Sequence, residues 1–194
     1  MLFLCALCEV KTIFFSEDQH LLGLAGQTLL SLLHPIKWVC TYIPLLPLKM
    51  RGCLGSPAPG IFGTHPRARD GELQDMTFVD LDCAELSLPA FIPLESLVTV
   101  PETKPLYMNL SKWAYGSTFS QRNVRLAFAD FVTTLLRNYR RYIRPVDNND
   151  SMQMAFDYEL FCQQKKSFEQ HQFFYEVSSG FTPFCAQGIL CVAF

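Results

Sequence analysis

This chain carries none of the short motifs that mark the common nucleotide and hydrolytic enzymes. There is no GxxxxGK[ST], so no P-loop grips a nucleoside triphosphate, and GxGxxG is also absent. HExxH and GxSxG are missing, which removes the zinc-protease and α/β-hydrolase readings. His20, His34, His65 and His171 stand apart from one another. No apolar run approaches the ~20 residues of a membrane-spanning helix. Charge of either sign is scarce: charged residues make up 18% and the net charge is −2, so no global basic field points to nucleic acid. Met1–Cys8 is apolar but has no basic flank and is too short for a secretory core, because Glu9 and Lys11 follow at once.

Apolar side chains are plentiful. Hydrophobic residues are 49% of 194, including 17 Phe, which is a core-rich globular composition and not a disordered one. A chain of this size buries roughly 70% of its unfolded surface and needs no staple. Eight cysteines are scattered, several inside apolar runs, which fits free thiols, mostly buried, in a reducing compartment. Cys5-Ala6-Leu7-Cys8 is a CxxC pair, but no second Cys/His pair of matching spacing completes a zinc site. Two apolar cysteines are the simpler account. No cofactor is expected.

Residues 11–15 (KTIFF) are expected to form a buried strand. A helix should start at Ser16, with Gln19 completing a capping box. Leu21, Leu22, Ala25, Leu29, Leu32 and Leu33 give its apolar stripe. Leu24 and Leu30 widen it, so burial on more than one side is expected. Pro35 ends the helix, and Trp38, Val39, Tyr42 and Ile43 build a strand that Pro44 and Pro47 close. Trp38 is expected to pack under the helix. Gly60 and Gly63 bracket a second buried strand with close backbone approach. Residues 64–75 are a polar surface loop, and Met76–Asp82 is another strand. Strand, helix, strand in this order predicts an α/β fold with a mostly parallel central sheet and helices on both faces. Residues 87–116 lack a clean period and read as short helices and loops.

A second helix is expected from near Thr118, with Gln121 as cap partner, running to Pro145. Its apolar stripe is Val124, Ala127, Phe128, Phe131, Val132, Leu135, Leu136, Tyr139 and Tyr142. Arg122, Arg125, Asp130, Thr133, Arg137, Arg140 and Arg141 mark the other face. The run from Asp147 to Ser151 is a linker, and residues 152–175 one or two helices. Asp80 and Asp82 stand at alternate strand positions and so should share a face. Ligands of open α/β sheets meet the carboxyl ends of strands. The pair is therefore either a contact edge or a pair of solvated acids capping the next segment. Arg137, Arg140, Arg141 and Arg144 make a basic cluster. It suits a helix C-terminus, an anionic lipid surface or an acidic partner. Cys191-Val192-Ala193-Phe194 fits a C-a-a-X prenylation box, although Ala193 is a poor second aliphatic and no polybasic run precedes it.

Four segments together resemble the central module of the DENN domain family. They are Pro35-Ile36-Lys37-Trp38, Tyr42-Ile43-Pro44-Leu45-Leu46-Pro47, Ser56-Pro57-Ala58-Pro59-Gly60-Ile61-Phe62-Gly63 and Val79-Asp80-Leu81-Asp82. Gly60 stands where the family has an aromatic. The resemblance makes Pro35, Trp38, Tyr42, Pro44, Pro47, Pro59 and Gly63 structural positions. It divides the chain into an atypical segment 1–10, a central α/β module 11–146, a partial downstream helical region 147–176 and an atypical tail 177–194. It implies guanine-nucleotide exchange on a Rab-family small GTPase in membrane traffic, in the cytoplasm with recruitment to vesicle or endosomal membranes. Asp80, Asp82, Arg137, Arg140 and Arg141 are then candidates for partner contact. The family's upstream longin-like subdomain has no counterpart in the first ten residues, so a shortened form with weak activity is expected. The alternative is a DENN module that binds partners without exchanging nucleotide, or a truncated form that competes with the full protein.

Overall fold

In the computed structural model, the described residues are 1–69, 73, 75–90, 103–114, 119–148, 151–157 and 160. They divide into two compact units, one of residues 1–34 and 38–93, the other of 35–37 and 94–194.

The first unit holds helix α1 (Leu2–Leu7), strand β1 (Thr12–Phe15), helix α2 (Gln19–Leu32), strands β2 (Thr41–Leu46), β3 (Gly60–Thr64), β4 (Thr77–Asp80) and β5 (Glu85–Ser87). They form a five-stranded sheet in the order β2-β3-β1-β4-β5. The first four strands are parallel and β5 pairs antiparallel with β4. This is the α/β class that the alternation of elements predicts. β1 and β3 are central, and every residue of both is buried. Parallel strands covered on both faces are apolar throughout rather than alternating, as Ile13, Phe14, Phe15, Ile61 and Phe62 are.

Helix α2 covers the face that carries Ile61, Gly63 and Tyr42. Its Gly26 lies against the Tyr42 ring, where a Cβ would come within 2.9 Å. α1 packs beside α2. The opposite face is covered by two 3-10 segments, Leu48–Gly55 and Pro66–Ala68. Leu54 and Ala68 pack there with Ile13, Phe15, Leu46 and Phe62. The ring of Phe62 fills the space beside Gly60, so a side chain at 60 would collide with it.

Several expectations need correction. The cap of α2 is Asp18, whose side chain accepts from the His20 amide, and not Ser16. α2 buries one face only, through Leu22, Gly26 and Leu29, while Leu21 and Leu24 are exposed. Trp38 and Val39 precede β2; Val39 is exposed, and the half-buried Trp38 donates its indole N–H to the Thr41 carbonyl at 3.2 Å. Pro44 lies inside β2 and does not end it. An edge strand tolerates proline because one side needs no ladder donor, and the register to β3 shifts between Ile43 and Leu46. The polar loop after β3 contains a 3-10 turn with a buried residue, Ala68. Of the described cysteines only Cys5 and Cys8 are buried; Cys40 and Cys53 are half-buried and Cys83 is exposed.

The second unit contains α3 (Thr103–Ala114), α4 (Gln121–Leu135) and a hairpin of β6 (Ile143–Asn148) and β7 (Ser151–Phe156). α3 packs on α4. The cap of α4 is Ser120, which accepts from the Asn123 amide; Thr118 lies outside the described residues. The buried stripe is Ala127, Phe128, Phe131, Val132 and Leu135. The helix stops before Pro145, because Asn138 takes a left-handed φ of 69° and a 3-10 turn, Tyr139–Tyr142, follows. Pro145 stands in β6, and the stretch expected to be linker and helix from 147 to 156 is mostly hairpin. Beyond it only Asp157 and Leu160 are described.

Candidate functional site

The carboxyl ends of β1, β2 and β3 open on a cleft of about 340 Å³. Ser16 and Glu17 follow β1, Leu46 and Pro47 close β2, and Thr64 and His65 close β3. Leu22 and Leu48 supply apolar walls. In an open parallel sheet this crevice is where ligands and partners are met. It forms here because the three strands stop in register, and Thr64 Oγ1 donates to the Leu46 carbonyl at 3.0 Å, tying β3 to β2 at the mouth. Leu45 and Leu48 are exposed apolar side chains on the same rim.

Asp80 ends β4, while Asp82 lies beyond it in a turn, so the alternate-position argument does not place them on one strand face. Asp80 Oδ1 accepts the backbone amides of Asp82 and Cys83, each at 3.0 Å. This is the turn-capping role, and it leads the chain through Ala84 at a positive φ of 56° into β5. Asp82 reaches back to the end of β1. Its Oδ1 accepts the Ser16 hydroxyl at 2.7 Å and its Oδ2 the Glu17 amide at 2.9 Å. These two bonds hold the Asp82 carboxyl below its ordinary value, the hydroxyl contributing first.

Arg137, Arg140 and Arg141 are exposed at and after the end of α4, in the second unit. Arg140 donates to the Tyr139 hydroxyl and Arg144 pairs with Asp157 at 3.5 Å. Of the positions that the resemblance makes structural, Gly63 is fully enclosed, Tyr42, Pro44 and Pro59 are half-buried, and Pro35 and Pro47 are exposed. Cys191 lies outside the described residues. Burial pushes the Cys5 thiol up, the direction opposite to a reactive thiolate. Among the described residues, no three His, Cys, Asp or Glu side chains are grouped to hold a metal, and no helix is long and apolar enough to cross a membrane.

The sequence did not single out Ser16, Glu17 and His65 as site residues. Ser16 was expected as a helix cap. Its position directly after a buried strand was the available signal.

An open, mostly parallel sheet with a cleft at its strand ends defines an α/β domain. Comparison with known proteins finds a similarity over the first part of the chain. Residues 1–84 match the family model of the DENN (AEX-3) domain, a stretch that runs from α1 to the turn after β4. Over these residues the chain is similar to the DENN domain family. It is 47% identical over 64 residues to a DENN domain-containing protein of Schizosaccharomyces pombe, which covers 33% of this chain and 7% of that protein. It is 40% identical over 83 residues to Elicitor of plant defense protein 1 of Gibberella zeae and of Verticillium dahliae, covering 42% of this chain and 7% of each. The chain thus matches only a small part of these relatives' length.

Proposed function

We propose that this chain carries the strand-end surface of a guanine-nucleotide exchanger for a Rab-family GTPase. The observation that carries the reading is the coincidence of the DENN match with the three parallel strands, β1, β2 and β3, whose ends form the cleft and its rim. An exchanger needs no covalent chemistry. It binds the nucleotide-free form of its partner better than the loaded form, and linkage then weakens nucleotide by the same factor. The apolar rim of Leu45 and Leu48 beside Glu17 and His65 offers a mixed surface for a partner's switch loops. In the second unit, Arg137, Arg140 and Arg141 form a basic surface of their own, suited to an acidic partner or an anionic membrane surface.

A second reading is a module that binds its partner without releasing nucleotide. One observation favours it: Asp80 and Asp82 are both engaged by the chain's own amides and hydroxyl. Release of labelled GDP from a panel of Rab proteins separates the two. Accelerated release from at least one Rab supports exchange. Capture of a nucleotide-free Rab with no acceleration supports the binding module, and neither response in any Rab refutes both.

A further inference from the structure

The β1 wall of the cleft is the Ser16–Glu17 turn, and residues distant in sequence fix it. Besides the two bonds to the Asp82 carboxylate, the Leu81 amide donates to the Phe15 carbonyl at 3.0 Å. The Ser16 oxygen in turn accepts from the Asp18 amide at 3.0 Å, and Asp18 caps α2. One carboxylate therefore sets the end of β1, the turn and the entry to α2. We propose that Asp82 is a positioning residue for partner recognition. It holds the Ser16–Glu17 turn in the shape that the cleft presents, and the partner touches Glu17 and its neighbours instead of Asp82. This rests on the exchange reading above.

The burial of Ser16 makes the idea testable. Its side chain is enclosed, with the residue 1% exposed, so a partner cannot reach the hydroxyl, whereas Asp82 is exposed. A contact role would make Asp82 matter and Ser16 not. A positioning role makes them act as one, and residues in a single network are non-additive. Capture of nucleotide-free Rab proteins by the whole chain is measured for the parent, Ser16→Ala, Asp82→Ala, the double variant and Asp82→Asn. Hydrogen exchange at the Glu17 amide is followed in each.

Each alanine variant is expected to weaken capture about tenfold and to speed Glu17 exchange, and the double variant to be no weaker than the stronger single. Asp82→Asn keeps an acceptor for the Glu17 amide and should recover protection and part of the capture. Three results overturn the proposal: loss of capture in Asp82→Ala with Ser16→Ala unchanged, additive losses in the double variant, or a freed Glu17 amide with capture intact. Should the parent capture no Rab, the exchange reading falls. The Glu17 amide then decides the clamp alone, and unchanged protection in Asp82→Ala removes it.

Discussion

Gly63 in the middle of the sheet lies so close to Pro44 on the neighbouring strand that a Cβ at 63 would collide with the Pro44 carbonyl oxygen. On its other side, the Leu22 side chain of α2 would stand 3.2 Å from that Cβ. The glycine is therefore required for close approach, since its φ is not positive. Backbone cannot yield as a flexible side chain can. Gly63→Ala should destabilise by about 1–3 kcal/mol, the range for overpacking a tight core. A lower urea midpoint with an unchanged slope would record it.

Lys11 is a buried lysine with a defined task. Its ammonium donates to the carbonyls of Leu54 and Ser56, which close the 3-10 segment covering one sheet face. Burial pushes its pKa down. Lys11→Met keeps the stem but leaves both carbonyls without their donor, at a cost of about 1–3 kcal/mol. Unfolding midpoints test this, and earlier proteolytic cutting within residues 48–56 should accompany the loss.

Trp38 shows where the sequence pattern misleads. An aromatic after a helix stop is expected to sit under the helix. Here it is half-buried, bonded through its indole N–H to Thr41, and lies before the strand. Trp38→Ala should then cost about 1–2 kcal/mol, below the ~3–5 kcal/mol of a fully buried tryptophan. A larger loss in the denaturation midpoint would mean that the ring is more enclosed than its surroundings indicate.

The legible parts of the fold were those decided locally. β1 and β3 are apolar throughout because they are central in a parallel sheet, and that pattern is visible in KTIFF and GIFG. β2 was misplaced because Trp38 and Val39 are apolar yet outside the sheet, while an edge strand accommodates Pro44. α4 was overextended because apolar spacing continues to Tyr142, although Asn138 turns left-handed and breaks it. The hairpin after it was missed because Pro145, expected as a helix stop, stands in a strand. The site divides the same way. Asp80 and Asp82 could be placed near a strand end by position. The partner of Asp82 could not be foreseen, since Ser16 is 66 residues away and only the parallel pairing of β1 with β4 brings them together.

That pairing leads to a pH dependence whose sign is fixed. The Asp82 carboxyl lies below its ordinary value of 3.8, held there by the Ser16 hydroxyl and then by the Glu17 amide. A carboxyl whose folded pKa is below its unfolded one binds fewer protons when folded. Its contribution to stability is fully present above the unfolded value and is lost as pH falls through the folded one. Other carboxylates titrate in the same acid range, so the parent must be compared with Asp82→Ala. The parent's advantage should be constant from neutral pH down to about pH 5. It should shrink as the medium is acidified below the ordinary carboxylate value and vanish once Asp82 is protonated in both states. Ser16→Ala, which removes the leading cause of the shift, should move the point of loss to higher pH. Urea midpoints of the three proteins across the acid range read this directly. An advantage that persisted unchanged into strong acid would show that the neutral carboxyl holds the turn equally well, and a charge-assisted bond would be ruled out.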